Sequence, residues 1–590
     1  MAVENLITEH IDIWTSAVKT KSASGRGSSK KLELYGIKKL RELILELAIR
    51  GKLVPQDPSD EPASVLLERI AQERAQLIKD KKIKRSKKLP PVAEEDLKDD
   101  LPLGWQVSRL GEFVSIIRGI TFPASAKHNE PESNLIACLR TANVQTQLDW
   151  DDLIYVERSY VKREEQMLAV GDIVMSMANS RELVGKVSYT YFLPKNLDVS
   201  FGGFLSVIRP YQLDSAFLMM VLRSPSVRDE LVGSSSQTTN IANISLEKLN
   251  PLVVSIPPLK EQQRIVAKVD ELMALCDQLE QQTEDSIEAH QVLVTTLLDT
   301  LTSSANADEL MQNWARISEH FDTLFTTEES IDQLKQTILQ LAVMGKLVPQ
   351  DPTDEPAAKL LERIAEEKAQ LVKEMKIKKQ KALPPIAEDE KPFELPSGWE
   401  WCRLGQIGYD LGGGTPSKSN SKYWDGEIPW VSPKDMKVDF IESAIDTVTE
   451  KAIKETTIKL IPKNSLLMVV RGMILAHSFP VALTNKDVVI NQDMKALVFS
   501  NIDPHYLLTV MKATKTTFTD LVDRSSHGTC KLISEKLWNV TLAIPPLNEQ
   551  KKINMMLEQI MDICEQLKQG IRKKYQSQLH LTDTIVEQAV

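Results

Sequence analysis

The chain has 590 residues, with 72 Lys and Arg against 82 Asp and Glu, for a formal net charge of −10. At about 100–200 residues per domain this length predicts three to five domains, and the acidic balance argues against a simple basic nucleic-acid binder unless partners supply the cationic surface. No run of about 18 apolar residues and no apolar signal core near the start excludes a spanning helix and argues against secretion; five scattered cysteines without C-x-x-C and eight histidines without a ligand-spaced cluster leave a reduced, cytoplasmic protein with no metal site as the expectation.

The first predicted segment, 1–104, is a helical frame. Within it SASGRGSSKK (22–31) has the composition of a flexible linker, taken as about 19–31. Residues 37–82 read as helices interrupted by GKLVPQDP: Gly51 ends one, Pro55 blocks its continuation, and Asp60 is expected to cap the next. The basic run KDKKIKRSKK (79–88) reads as a phosphate contact or, equally, as a solvated helix end.

Residues 105–256 change character. Short apolar runs such as DIVMSM (172–177) and FLSVI (204–208), separated by Gly, Pro, Asn and Ser, read as strands with polar loops, and a helix is predicted near 215–232. The loops hold Arg118, Gly119 and Thr121, then Arg140, Thr141 and Asn143, then Asn179, Ser180 and Arg181, then Ser235, Gln237 and Asn240. Arg pairs bidentately with guanine and Asn or Gln with adenine, while Ser and Thr reach phosphates and base edges, so these loops as a set are candidate DNA contacts.

After Pro257-Pro258, apolar residues fall at Ile265, Val269, Leu272, Cys276 and Leu279, the 4, 3, 4, 3 stepping of a coiled-coil seam in a helix over 257–300. The seam turns polar at Thr283, Ser286 and His290 and is expected to resume at Leu293 and Leu297.

The chain then repeats itself. GKLVPQDPTDEPAAKLLERIAEEKAQ (345–370) matches residues 51–76 at 21 of 26 positions, so 307–398 is a second copy of the frame, with Gly345, Pro349 and Asp354 in the same expected roles. Even Glu9-His10 and Asp12 recur as Glu319-His320 and Asp322, and the second copy has its own basic tail, KEMKIKKQK (373–381).

A second insert, 399–544, does not resemble the first in sequence. SLLMVV (465–470) and DVVI (487–490) read as strands, with a helix near 504–521. Its candidate DNA-binding residues are Gly413, Gly414, Thr415, Ser417, Lys418 and Tyr423, then Ser432, Lys434, Arg471, Asn491 and Gln492, then Arg524, Ser526 and His527. A last helix, 545–590, follows Pro545-Pro546 and carries the seam Ile553, Leu557, Ile560, Cys564 and Leu567. The inserts sum to a charge of −1, leaving −9 for the frame, where a protein partner is expected to bind.

Catalytic residues are not expected. The Pro-Pro pairs follow Ile or Leu and lack the Asp/Asn-Pro-Pro-aromatic loop of an amino-methyltransferase, and Ser417 stands where a phosphate loop needs glycine before Lys418. Two dissimilar inserts on a repeated frame, each followed by the I-P-P-L-x-E-Q helix start (256–262 and 544–550), resemble the specificity (S) subunits of type I restriction–modification enzymes. GGGTPSKSNSKYWDGEIPWVSPKDM (412–436) looks like the opening of a target recognition domain, and the doubled GKLVPQDP block is similar to the frame of the longer, type IB-like members. The first insert departs from that pattern around Arg118-Gly119, where it lacks the Gly-Thr-Pro-Ser run.

The resemblance implies a mixed α/β fold: two target recognition domains separated by long antiparallel coiled-coil helices in a pseudo-twofold repeat. Each domain then reads one half of an asymmetric, bipartite site in double-stranded DNA, and the coiled coil sets the spacer. It implies two modification (M) subunits docked on the frame and two restriction (R) subunits joined through the core that the M subunits and this chain form. S-adenosylmethionine belongs to the M subunits, and ATP and Mg to the R subunits, with no cofactor on this chain. Two other readings stay open at this stage: a duplicated coiled-coil scaffold for protein ligands, and a fused restriction–modification enzyme.

Overall fold

The computed structural model describes residues 3–21, 31–80, 83, 88–93, 101–180, 183–195, 197–233, 236–237, 242–305, 307–524 and 530–590. The fold is mixed α/β, with two sheet-rich domains and two long helices, Leu259–Ser303 and Leu547–Ala589. It divides into two compact units: residues 1–286 with 574–590, and residues 287–573.

Both units are built on one plan, because the repeated sequence makes the same contacts twice. In the first, helix Tyr35–Ile49 buries Ile37, Leu40, Leu43 and Ile44. It runs antiparallel to the start of Leu259–Ser303: Arg41 pairs with Asp277 and Glu280 (2.5 and 2.6 Å), while beyond the helix end Gln56 reaches Glu261. It runs parallel to the chain's last segment, with the Tyr35 hydroxyl donating to Asp583 (2.6 Å) and Arg50 to the Val590 oxygen (3.1 Å). In the second unit, helix Glu328–Val343 runs antiparallel to the start of Leu547–Ala589 through Lys335–Glu565, Asp332–Lys568 and Glu328–Arg572 (2.6, 2.8 and 2.6 Å). It runs parallel to the end of Leu259–Ser303, where Gln333 donates to Thr295 and Lys346 to the Ser304 carbonyl. Within each unit the two long helices are therefore antiparallel, and a frame helix packs along them.

The seam holds at Ile265, Val269, Leu272 and Cys276, all buried. After the polar stretch the buried positions are Val294, Leu298 and Leu301, whereas Leu293 is exposed. The seam thus resumes one residue later than its spacing predicts. The physical reason is a change of partner: the second half of this helix packs with Glu328–Val343, so a different face is covered. Asp60 and Asp354 also depart from expectation. Pro62 and Pro356 take the N-cap positions, and the two carboxylates instead bind the long helices, Asp60 to Arg264 (2.6 Å) and Asp354 to Asn548 (2.9 Å). In the predicted linker region, Lys19–Lys21 and Lys31–Glu33 pair as a short antiparallel ribbon; 22–30 lie outside the described residues.

The I-P-P-L-x-E-Q start is a buried junction. Gln262 donates to the Pro257 carbonyl (2.9 Å) and accepts from the Asp214 amide (2.9 Å); Gln550 does the same with Pro545 and Asp503. Glu261 accepts from the Trp105 indole and from Gln56, and Glu549 from Gln350. Burial pushes both carboxyls up, against the pull of these donors. Each insert is rooted by an antiparallel pair formed from its two ends, Gln106–Arg109 with Val253–Ile256 and Glu400–Arg403 with Thr541–Ile544. Proline has no N–H, so the Leu-Pro-Pro segments cannot form a ladder with full pairing, and their carbonyls accept from an arginine instead. Arg109 donates to Pro90, Pro91 and Pro251 (each 2.7 Å), and Arg403 to Pro385 (3.0 Å) and Asn539 (2.7 Å).

Arg403 also holds Glu390 (2.6 Å) and pushes that carboxyl down to about 2. A lowered folded-state value stabilises above the ordinary carboxylate range and loses its contribution as pH falls toward about 2. Glu390→Gln is expected to lower the melting temperature at neutral pH by an amount that shrinks steadily between about pH 4.5 and 2; a constant gap measured by scanning calorimetry across that window would contradict the assignment.

The inserts, unlike in sequence, share a topology. In the first, a sheet has the antiparallel order Val114–Arg118, Leu205–Pro210, Ile173–Ser176, Val187–Tyr189. In the second the order is Gly408–Gly412, Met494–Phe499, Leu466–Val469, Val481–Thr484, extended by Phe440–Ile441. A smaller sheet also matches: Val199–Phe201 lies parallel to Leu135–Leu139, which pairs antiparallel with Ile154–Glu157, as Val489–Ile490, Trp424–Val431 and Asp446–Val448 do in the other domain. The predicted helices appear as Ser215–Arg223 with Pro225–Gly233, and Pro504–Ala513 with Lys515–Asp520.

Candidate nucleic-acid interface

In the second domain four segments lie side by side at one edge, joined by backbone hydrogen bonds. Gly414 N donates to Ile490 O (2.9 Å), Val470 N to Asp493 O (2.8 Å), Gly472 N to Cys530 O (3.0 Å) and Leu532 N to Val470 O (2.9 Å). Onto this edge the chain places Gly413, Gly414, Thr415, Arg471, Asn491 and Gln492, drawn from three sequence regions. Thr415 donates to Gln492. Arg471 stands 3.9 Å from Asp493 and is about half exposed. The glycine-rich loop is anchored from below: the Trp430 indole donates to Gly414 O (2.9 Å) and the Trp424 indole to Ser417 O (3.1 Å), with the two rings edge to face. Lys418 and Lys434 are exposed, and exposed Arg524 donates to Ala476 O on the turn that follows Arg471.

The first domain builds the same edge from unrelated residues. Ile120 N donates to Phe201 O (2.8 Å), Gly119 N to Leu205 O (3.2 Å), Met177 N to Phe204 O (2.9 Å) and Ile244 N to Met177 O (2.9 Å). Arg118, Thr121 and Ser180 are exposed there, and Asn179 is half-buried with its side chain accepting from Ser180 N. Gly119 has a packing role, since a β-carbon would strike the Gly202 carbonyl.

Several candidates are spent on the fold. Asn143 is fully buried, donates to Asp149 O and Asp152 O and accepts from Arg140 N. The guanidinium of Arg140 holds Asp152 (2.7 Å), while Thr141 remains half-exposed beside it. Asn491 is buried and turns toward Asp493; Ser432 is tied to Asp435 (2.8 Å); Tyr423 donates to Glu455 (3.3 Å). Asn143 and Asn491 satisfy backbone groups near strand ends, whereas Arg140, Ser432 and Tyr423 pair with carboxylate side chains. Arg181, Ser235, Asn240, Ser526 and His527 lie outside the described residues, as does the side chain of Gln237. Asp493, absent from the expected set, faces Arg471. The sequence signal for Arg109 and Arg403 was their repetition in two otherwise unlike inserts.

If this edge meets DNA, as the sequence leads one to expect, Arg471→Ala is expected to weaken DNA binding by about 1–3 kcal/mol and to relax one base position. Competition binding against duplexes varied at each position checks it; equal weakening at every sequence would make Arg471 a phosphate contact instead.

Among the described residues no group of three or more His, Cys, Asp or Glu is arranged to hold a metal, and no helix is long and apolar enough to cross a membrane. Residues 102–289 and 396–575 match the family model described as type I restriction modification DNA specificity domain. The EcoAI specificity subunit of a type I restriction enzyme of Escherichia coli is 41% identical over the full length of both chains. The EcoEI specificity subunit of Escherichia coli is 40% identical, again with complete coverage of both. Among solved structures, the HsdS subunit of Thermoanaerobacter tengcongensis is 17% identical, covers 83% of this chain and 97% of its own, and gives a TM-score of 0.38.

Proposed function

Since the chain belongs to the family of type I restriction–modification DNA specificity subunits, we propose that it is the non-catalytic subunit that selects the DNA site, each sheet domain reading one half of a bipartite target. The observation that carries this reading is the pair of equivalent edges. Two domains of one topology present different side chains at matching backbone positions, which is what an asymmetric site requires of a repeated frame.

The long helices act as the spacer. Each has more than 40 residues, about 60 Å or more at 1.5 Å per residue, and half-sites one helical turn apart are centred roughly 34–36 Å from each other. Two modification subunits dock on the acidic, repeated frame and bring S-adenosylmethionine; methylation of adenine follows extrusion of the base on those subunits. Restriction subunits join through that core and bring ATP and Mg. The complex works in the cytoplasm. DNA affinity then rests on the partners' cationic surface as well as on these edges, consistent with inserts of nearly zero net charge.

Methylation mapping in cells carrying this chain and its modification subunit tests the proposal. It is expected to return two short, unlike half-sequences with a fixed spacer. Inserting one heptad into Leu259–Ser303 is expected to change the spacer or abolish methylation while leaving any surviving half-sequences intact. An unaltered spacer in an active variant would overturn the ruler role, and a single continuous or palindromic target would overturn the two-reader role.

A further inference from the structure

Phe204 is 70% exposed, between Phe201 and Leu205, which are fully buried. The apolar run from Phe204 reads as strand from its first residue, but the strand starts at Leu205. The turn that carries the ring is fixed on every side. Gly202 N donates to Leu139 O (2.9 Å), Leu205 N to Gly202 O (2.8 Å), Ile120 N to Phe201 O (2.8 Å) and Met177 N to Phe204 O (2.9 Å). The space beneath is filled: a β-carbon on Gly203 would lie 3.2 Å from the Thr121 hydroxyl. The exposed ring offers apolar area that contact with an apolar group would remove from water.

The second domain has an equivalent of this position. Val470 N donates to Asp493 O as Met177 N donates to Phe204 O, and in each case the next residue begins a strand, Met494 or Leu205. Phe204 therefore stands where Asp493 stands, and Ala178, following Met177, stands where Arg471 follows Val470. One domain presents an arginine with a carboxylate beside it (3.9 Å); the other presents an alanine and a phenylalanine. The same backbone place carries a polar pair in one domain and an apolar pair in the other.

We propose that Phe204 is a specificity-determining residue of the first domain, with its ring set against the C5-methyl group of a thymine in that half-site. The methyl is the one apolar group that an intact base pair shows in the major groove, and phenylalanine is among the side chains that contact it. Insertion of the ring between bases would require unstacking the duplex, an added cost that the methyl contact avoids. The inference rests on the DNA-reading function proposed above and names the chemistry of one of its contacts.

The test uses the full chain assembled with its modification subunits and a duplex carrying the mapped target. Each thymine of the first half-site is replaced singly by deoxyuridine, which removes only the methyl. At one position the wild type is expected to bind about fourfold more weakly, the ratio for one buried methyl group. Phe204→Ala is expected to bind thymine and uracil equally there, with discrimination elsewhere and melting temperature unchanged, and Phe204→Leu to keep part of the preference. A wild type indifferent to every deoxyuridine, a half-site without thymine, or a Phe204→Ala protein that still tells thymine from uracil would each overturn the inference while leaving DNA reading intact. A wild-type complex that prefers no duplex sequence would overturn the DNA-reading function itself.

Discussion

Replacing residues 399–544 with the corresponding insert of another family member is expected to change one half of the DNA target and leave the other half untouched. The reason lies in how the insert is attached. Its two ends form one antiparallel pair, Glu400–Arg403 with Thr541–Ile544, and Arg403 locks that pair to the Leu-Pro-Pro segment of the frame. Beyond the pair the insert has its own sheet core, with Leu466, Leu467, Met468, Ala496 and Leu497 fully buried, and it touches the frame again through its helix start, where the Asp503 amide donates to Gln550 and Ser500 and Asn501 donate to Glu367. A donor insert that brings the same Arg at its root, and a helix start whose backbone amide replaces that of Asp503 at Gln550, meets the same junction. Specific sites are typically bound about 10³–10⁷ times more tightly than non-specific DNA, so the exchanged chain should lose its native site by at least about three orders of magnitude and gain a hybrid one. Methylation mapping of the exchanged complex decides the matter: a change in both halves would end the modular account.

The second large effect comes from a single methyl group. Gly413→Ala is expected to destroy the second domain's half-site, whereas Gly412→Ala, one residue away, is expected to be silent. A β-carbon on Gly413 would collide with the Asn491 carbonyl and lie 2.5 Å from the Ile490 carbonyl; on Gly412 it would meet nothing within 4 Å. Backbone atoms cannot swing aside as a side-chain tip can. To relieve the clash the loop must lift, breaking the Gly414–Ile490 hydrogen bond and the Trp430 anchor. Overpacking of this kind costs typically about 1–3 kcal/mol, and here it also displaces Thr415 and Gln492 from the edge. Binding to duplexes altered in one half at a time should show the second half ignored and the first still read. Equal behaviour of the two variants would show that the loop is not pressed against its neighbour.

Much of the chain's organisation is legible in its sequence alone. The doubled GKLVPQDP block, the two I-P-P-L-x-E-Q starts and the 4-3 spacing give a repeated helical frame with two inserts, because each depends on local rules: proline and glycine stop helices, and apolar periodicity marks a buried face. The fates of particular polar residues were not legible. Asn143 and Arg471 look alike as loop residues, yet one is sealed inside the fold and the other stands exposed beside a carboxylate. The difference arises from which strand end each adjoins, and from which unpaired backbone groups lie within reach.

The repeated frame, its two inserts and the family can be read from repetition and from neighbours close along the chain. That two inserts with no common sequence share one sheet topology, and that Phe204 and Asp493 occupy the same place, depends on contacts between residues distant along the chain. Side-chain identity at such a place is free to vary because the hydrogen bond that builds the edge is accepted by the backbone carbonyl, which every residue carries.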